Sequence, residues 1–155
     1  VKELEKMRKN KVEYYNITFS NLLNLDRIQG RRIDLELTLR PGEPEKLYQK
    51  FALRFAQNDT YQTALSFRPH ESILKIDRKF SGSRRAIIHQ RRSLVNSRNG
   101  ELKLRLILDR FSAEVFINDG EQVMTMVMYT DLAAEGICFF ADGMVNMDVV
   151  KYDLV

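Results

Sequence analysis

Leu102-Lys-Leu-Arg-Leu-Ile-Leu-Asp-Arg-Phe-Ser-Ala-Glu-Val-Phe-Ile-Asn-Asp-Gly120 decides the fold of this 155-residue chain. Leu102, Leu104, Leu106 and Leu108 recur at every second position, opposite Lys103, Arg105 and Ile107. A period of two marks a β-strand with one face on a core. Asp109 to Ser112 makes a connection, and Ala113 to Ile117 reads as the return strand. Asn118-Asp-Gly120 is a hairpin signal, because glycine takes the positive φ that such turns need. Gln122 to Tyr129 supplies a third strand, with Met124, Met126 and Met128 on one face and Val123, Thr125 and Val127 on the other. The methionines are therefore expected to fill a core between sheets.

Outward from this stretch the same grammar repeats. Ile33, Leu35, Leu37 and Leu39 alternate with Arg32, Asp34, Glu36 and Thr38, which predicts a wet face for the second set; Pro41-Gly42 ends that strand. Further strands are expected over Phe51 to Ala56, Thr60 to Phe67, Ser72 to Asp77, and, after Ser81-Gly82-Ser83, over Arg85 to Ser93. Asn99-Gly100 marks a turn; Gly136 to Ala141, an Asp142-Gly143 turn and Met144 to Leu154 finish the chain. Many short strands with little helix between them predict an all-β fold, a two-sheet antiparallel sandwich. Residues 1–12 differ: Val1, Leu4 and Met7 fall at helical spacing, so 1–12 is read as a short helical connector and 13–155 as the sandwich.

Composition excludes several classes. Apolar residues are 44% and charged residues 30%, as in ordinary globular domains, and a chain this size buries roughly 70% of its unfolded surface. No apolar run approaches the ~20 residues of a membrane span, and no signal peptide is recognised. The net charge is +4, with basic residues at Lys2 to Lys11 and at Arg84, Arg85, Arg91 and Arg92. No aromatic lies between Arg84 and Arg92 to stack on bases, so these read as solvated strand faces and no nucleic-acid partner is expected. Cys138 is the single cysteine and is expected in the core. One free thiol is compatible with a reducing compartment, and a cytoplasmic location is expected.

Chemistry is harder to find. Asp109 and Glu114 resemble a glycosidase pair, which needs carboxyl groups roughly 5–9.5 Å apart. Five residues of regular strand would instead separate them by roughly 17 Å and send them to opposite faces. No nucleophile elbow, phosphate loop, zinc-ligand spacing or EF-hand occurs. His70 follows Pro69 in an expected turn, and His89 lies among arginines. No catalytic residue, cofactor or metal site is assigned. Asn16-Ile-Thr18 and Asn58-Asp-Thr60 match the glycosylation triplet, which matters only in a secreted protein.

The stretch from Leu104 to Gly120 resembles the C-terminal module of family 32 glycoside hydrolases, the invertases and sucrose-6-phosphate hydrolases. Their pattern is a hydrophobic strand followed by Asp-Arg-Ser-Ser-Val-Glu-Val-Phe-Val-Asn-Asp-Gly; this chain departs from it at Phe111 and Ala113. Ile73-Leu-Lys-Ile-Asp-Arg78 before Ser81-Gly82, and Gly136-Ile-Cys-Phe-Phe-Ala-Asp-Gly143, resemble two further segments of the module. Lys2 to Arg8 is similar to the connector that leaves the catalytic domain. The resemblance implies a jelly-roll or lectin-like sandwich joined to a five-bladed propeller that hydrolyses β-fructofuranosides. The propeller's Trp-Met-Asn-Asp-Pro-Asn-Gly, Arg-Asp-Pro and Glu-Cys motifs are absent here, so no catalytic residue carries over. The expected role is a non-catalytic module that stabilises the propeller and contributes to a homodimer. The alternative is a carbohydrate-binding module recognising fructosides, with Tyr14, Tyr15, Tyr48, Tyr61 and Phe67 as available aromatics; a third reading is an independent protein-contact sandwich.

Overall fold

The computed structural model describes residues 2–78, 80, 81 and 90–155. One helical turn, α1 (Lys2–Glu5), precedes β1 (Arg8–Leu23), β2 (Arg32–Pro41), β3 (Lys50–Gln57), β4 (Thr63–Arg68) and β5 (Ile73–Asp77). β6 (Gln90–Leu94), β7 (Leu102–Asp109), β8 (Ser112–Ile117), β9 (Gln122–Val127) and β10 (Gly136–Leu154) follow. The strands pair antiparallel, β6-β5-β4-β3-β10 on one side and β10-β2-β7-β8-β9 on the other. Of the strand expected over Arg85 to Ser93, the part before Gln90 lies outside the described residues.

β10 creates the two layers. Gly136 to Asp142 pairs with β3, whereas Val145 to Asp153 pairs with β2, so one strand serves both sheets. β1 follows β10 along its other edge, from Arg8 beside Leu154 to Leu23 beside Phe139. Asp142-Gly143 was expected to reverse the chain. Instead Gly143, at φ 95°, bends a continuous strand, and a Cβ there would lie 2.9 Å from Tyr48 Cα. Glycine signals positive φ, and a strand bend uses that freedom as well as a turn does.

The inner faces meet in one core. Ile33, Leu35, Leu37 and Leu39 lie beside Leu102, Leu104, Leu106 and Leu108, and Val115 and Ile117 extend the face. Phe51, Leu53, Phe55, Leu65, Phe67, Leu74, Ile76 and Phe139 fill the other layer. Met124, Met126 and Met128 are buried, as their period required. Side chains tie the outer strands of the layers together: Gln122 Nε2 donates to the Leu94 carbonyl at 2.8 Å, and Arg78 Nη1 to that of Val127 at 2.6 Å.

The helical connector is shorter than expected. Helix ends at Glu5, and residues 8–12 already pair with β10, with Val12 buried. One turn of helix pays the cost of nucleation without enough bonds to propagate, while β10 offers a ladder to residues 8–12.

Candidate functional site

The hairpin of β7 and β8 corrects the expected placement of its two carboxylates. Asp109 pairs with Ser112 and Ile107 with Glu114, so Asp109 and Glu114 project from the same outer face as diagonal neighbours. Sheet geometry puts such residues roughly 7–8 Å apart at Cα, not 17 Å. The count along a regular strand failed because the chain reverses between them. Proximity alone does not make a catalytic pair. A glycosidase acid is tuned by desolvation, yet the Asp109 side chain is 57% exposed and Glu114 stands on open sheet. Asp109 Oδ1 instead lies 3.2 Å from Arg32 Nε, an ion pair.

The most organised polar cluster lies on that same face, where the N-terminal segment joins the sheet. Asp34 belongs to the set predicted to be wet, but it is fully buried. Arg105 grips its carboxylate with two hydrogen bonds, Nε to Oδ1 at 2.9 Å and Nη2 to Oδ2 at 2.7 Å. Arg8 Nε reaches the same Oδ2 at 2.8 Å, and its Nη2 donates to Glu36 Oε1 at 2.9 Å. The Arg8 guanidinium also stands 4.3 Å above the Tyr152 ring. Hydrogen bonding to Asp34 raises the Arg105 pKa against the pull of burial. For Arg8, burial pulls downward, but the bonds and charges of Asp34 and Glu36 outweigh it and the pKa rises. Both cations are thus locked on, and two arginines on one carboxylate fix the segment leaving α1 against β2 and β7. Register hid this cluster from sequence reading: Asp34 and Arg105 become neighbours only once β2 and β7 are paired.

The other candidates disperse. Tyr48 and Phe67 are core residues, Tyr14 packs against the core, Tyr61 is half-buried, and only Tyr15, at 56%, is well exposed. These five form no platform. Cys138 is buried and its Sγ donates to Gln57 Oε1 at 3.1 Å. His70 is exposed in a turn; His89, Arg84 and Arg85 lie outside the described residues, and Arg91 and Arg92 are exposed on β6. Asn16 and Asn58 are exposed, and the Asn58 side chain accepts from the backbone of Thr60 and Tyr61. No group of three metal-ligating side chains occurs among the described residues.

Known proteins share this fold. Residues 3–154 match the model of the family described as "Glycosyl hydrolases family 32 C terminal". Sucrose-6-phosphate hydrolase of Staphylococcus xylosus is 28% identical over 99% of this chain and 31% of its own length. A levanase of Bacillus subtilis is 28% identical over 91% of this chain and 21% of its own. The chain thus spans about a third or less of these relatives. Among solved structures, sucrose-6-phosphate hydrolase of Lactobacillus gasseri superposes with a TM-score of 0.79 at 22% identity, covering all of this chain and 30% of the other. Fructan 1-exohydrolase IIa of Cichorium intybus gives 0.81 at 17% identity, covering 99% and 37%. A family model covering nearly every residue, with the sandwich and its double-paired β10 in place, makes this chain a member of the glycoside hydrolase family 32 C-terminal domains.

Proposed function

We propose that this chain is the non-catalytic accessory sandwich of a β-fructofuranosidase, packed against an N-terminal catalytic propeller of the same protein. One observation carries the reading: a C-terminal family model spans residues 3–154, while the whole chain spans only 31% of a sucrose-6-phosphate hydrolase. The Arg8–Asp34–Arg105 clamp supports it, since it would set the angle at which a preceding domain meets the sheet. The parent's substrate would be a β-fructofuranoside, sucrose 6-phosphate and levan being the leading candidates from the relatives' names. A cytoplasmic location agrees with the single buried thiol. Homodimer contacts belong to the same proposal.

The test is turnover. The 155-residue chain, incubated with sucrose, sucrose 6-phosphate and levan, should release no fructose above buffer. Release that disappears in Asp109→Asn or Glu114→Gln would overturn the accessory reading. Light scattering decides the dimer.

A further inference from the structure

The turn between β7 and β8 carries an aromatic side chain in the open. Phe111 is 41% exposed, and Tyr129, just past β9, is 44% exposed. Their ring centroids are 6.2 Å apart with an interplanar angle of 33°. The backbone holds them together, because the Met128 N–H donates to the Phe111 carbonyl at 2.8 Å.

A buried cation fixes them from behind. Arg31 is 5% exposed and its guanidinium carbon lies 6.0 Å from the Phe111 ring. Its Nη1 donates to the Asp131 carbonyl at 2.7 Å and to that of Thr130 at 3.3 Å, and its Nη2 to that of Arg110. Arg110 adjoins Phe111, and Thr130 adjoins Tyr129. The two aromatic residues are therefore anchored at both flanks by one side chain.

In front of the rings lies an open concavity of about 490 Å³, lined also by Val127, Arg32, Asp109, Arg110 and Ser112. That volume falls within the range of small-ligand sites. Arg32 and Asp109 face each other at 3.2 Å, so donors and acceptors stand side by side, and Arg110 adds a further set of donors. The Ser112 hydroxyl donates to the Asp109 carbonyl at 3.2 Å and keeps lone pairs to accept with. A sugar ring matches both halves. Its C–H face carries partial positive charge toward the negative faces of aromatic rings, and its hydroxyls both donate and accept.

We propose that Phe111 and Tyr129, with Arg32, Asp109, Arg110 and Ser112 at the rim, form a subsite for one ring of an oligosaccharide. The proposal is independent of the parent enzyme. The site is shallow, so weak binding is expected, with a Kd on the order of 1 mM.

Amide chemical shifts of the chain are followed during titration with fructo-oligosaccharides in one arm and malto-oligosaccharides in the other. The expected result is saturable shifts at residues 110–112 and 127–130 in at least one arm. Binding there should weaken about tenfold or more in both Phe111→Ser and Tyr129→Ala, and should be unchanged in Tyr15→Ala. No saturation in either arm up to ~20 mM would overturn the proposal. So would shifts centred elsewhere, or affinity unaltered in both variants. If a variant fails to fold, the shift map of the unaltered chain decides.

Discussion

Tyr48 is wholly buried, donates from its hydroxyl to the Gly100 carbonyl at 2.7 Å, and has its phenol pKa raised strongly by burial. An acid whose folded pKa lies above its unfolded one stabilises the fold fully below the unfolded value, about 10 for tyrosine. That contribution is lost as pH rises from there through the folded value. Tyr48→Phe should therefore cost about 1 kcal/mol at pH 7 for the lost hydrogen bond, and lose less stability than the unaltered chain above pH ~10. Urea unfolding between pH 7 and pH 11 checks both statements. At Asp34 the clamp predicts asymmetry. Asp34→Ala strands two largely covered arginines and should cost about 3 kcal/mol, whereas Asp34→Asn keeps an acceptor and should cost less. A denaturant series on the two variants that gave equal losses would contradict the clamp.

β1 borders both layers, and among the described residues its second edge pairs with no strand, yet it is poorly suited to recruiting another. Its register with β10 slips between Lys9 and Val12, between Tyr14 and Ile17, and between Phe19 and Asn21. An asparagine sits at each slip: Asn10, Asn16 and Asn21 have φ of 55°, 58° and 61°. Asparagine tolerates this left-handed region better than branched residues do, and repeated bulges twist an edge away from intermolecular pairing. Asn21→Gly should be nearly neutral, and Asn21→Val should cost about 1–2 kcal/mol. Thermal melts of the pair test this. The alternation of leucines around Leu104 showed the strands before any register was known, because burial on one face imposes it directly. Bulges, the bend at Gly143 and the burial of Asp34 depend on which strand lies alongside, and no local spacing encodes that. The separation of Asp109 and Glu114 has a different cause: the connection over Asp109 to Ser112 is legible in the sequence, but a count along one regular strand ignores that reversal. Phe111 was visible as a departure from the family pattern, but its partner Tyr129 lies on the far side of a hairpin and needed the fold to be found.

Every described strand except β6 contributes to one continuous core, which predicts a single cooperative unfolding transition. Far-ultraviolet dichroism and tyrosine fluorescence should give coincident urea curves; separate midpoints would mean that the two layers melt independently. The first and last segments of the described chain complete each other, Arg8 beside Leu154. Deleting residues 2–11 would uncover the end of β10 and remove Arg8 from Asp34, so the shortened chain should be less stable and more prone to associate. Gel filtration with light scattering reads this.

The pairing of β10 with β1, β2 and β3 also sets a timetable during synthesis. Three strands made early all wait for the one made last. At ribosomal speeds of about 5–20 residues per second, β1 spends on the order of ten seconds without its neighbour. A nascent chain can shape the β7–β8–β9 meander as it emerges, but it cannot close the sandwich until β10 has been delivered. Stalled or prematurely ended translation near residue 136 would therefore leave an open half-barrel of unpaired edges, a natural target for chaperones and proteases.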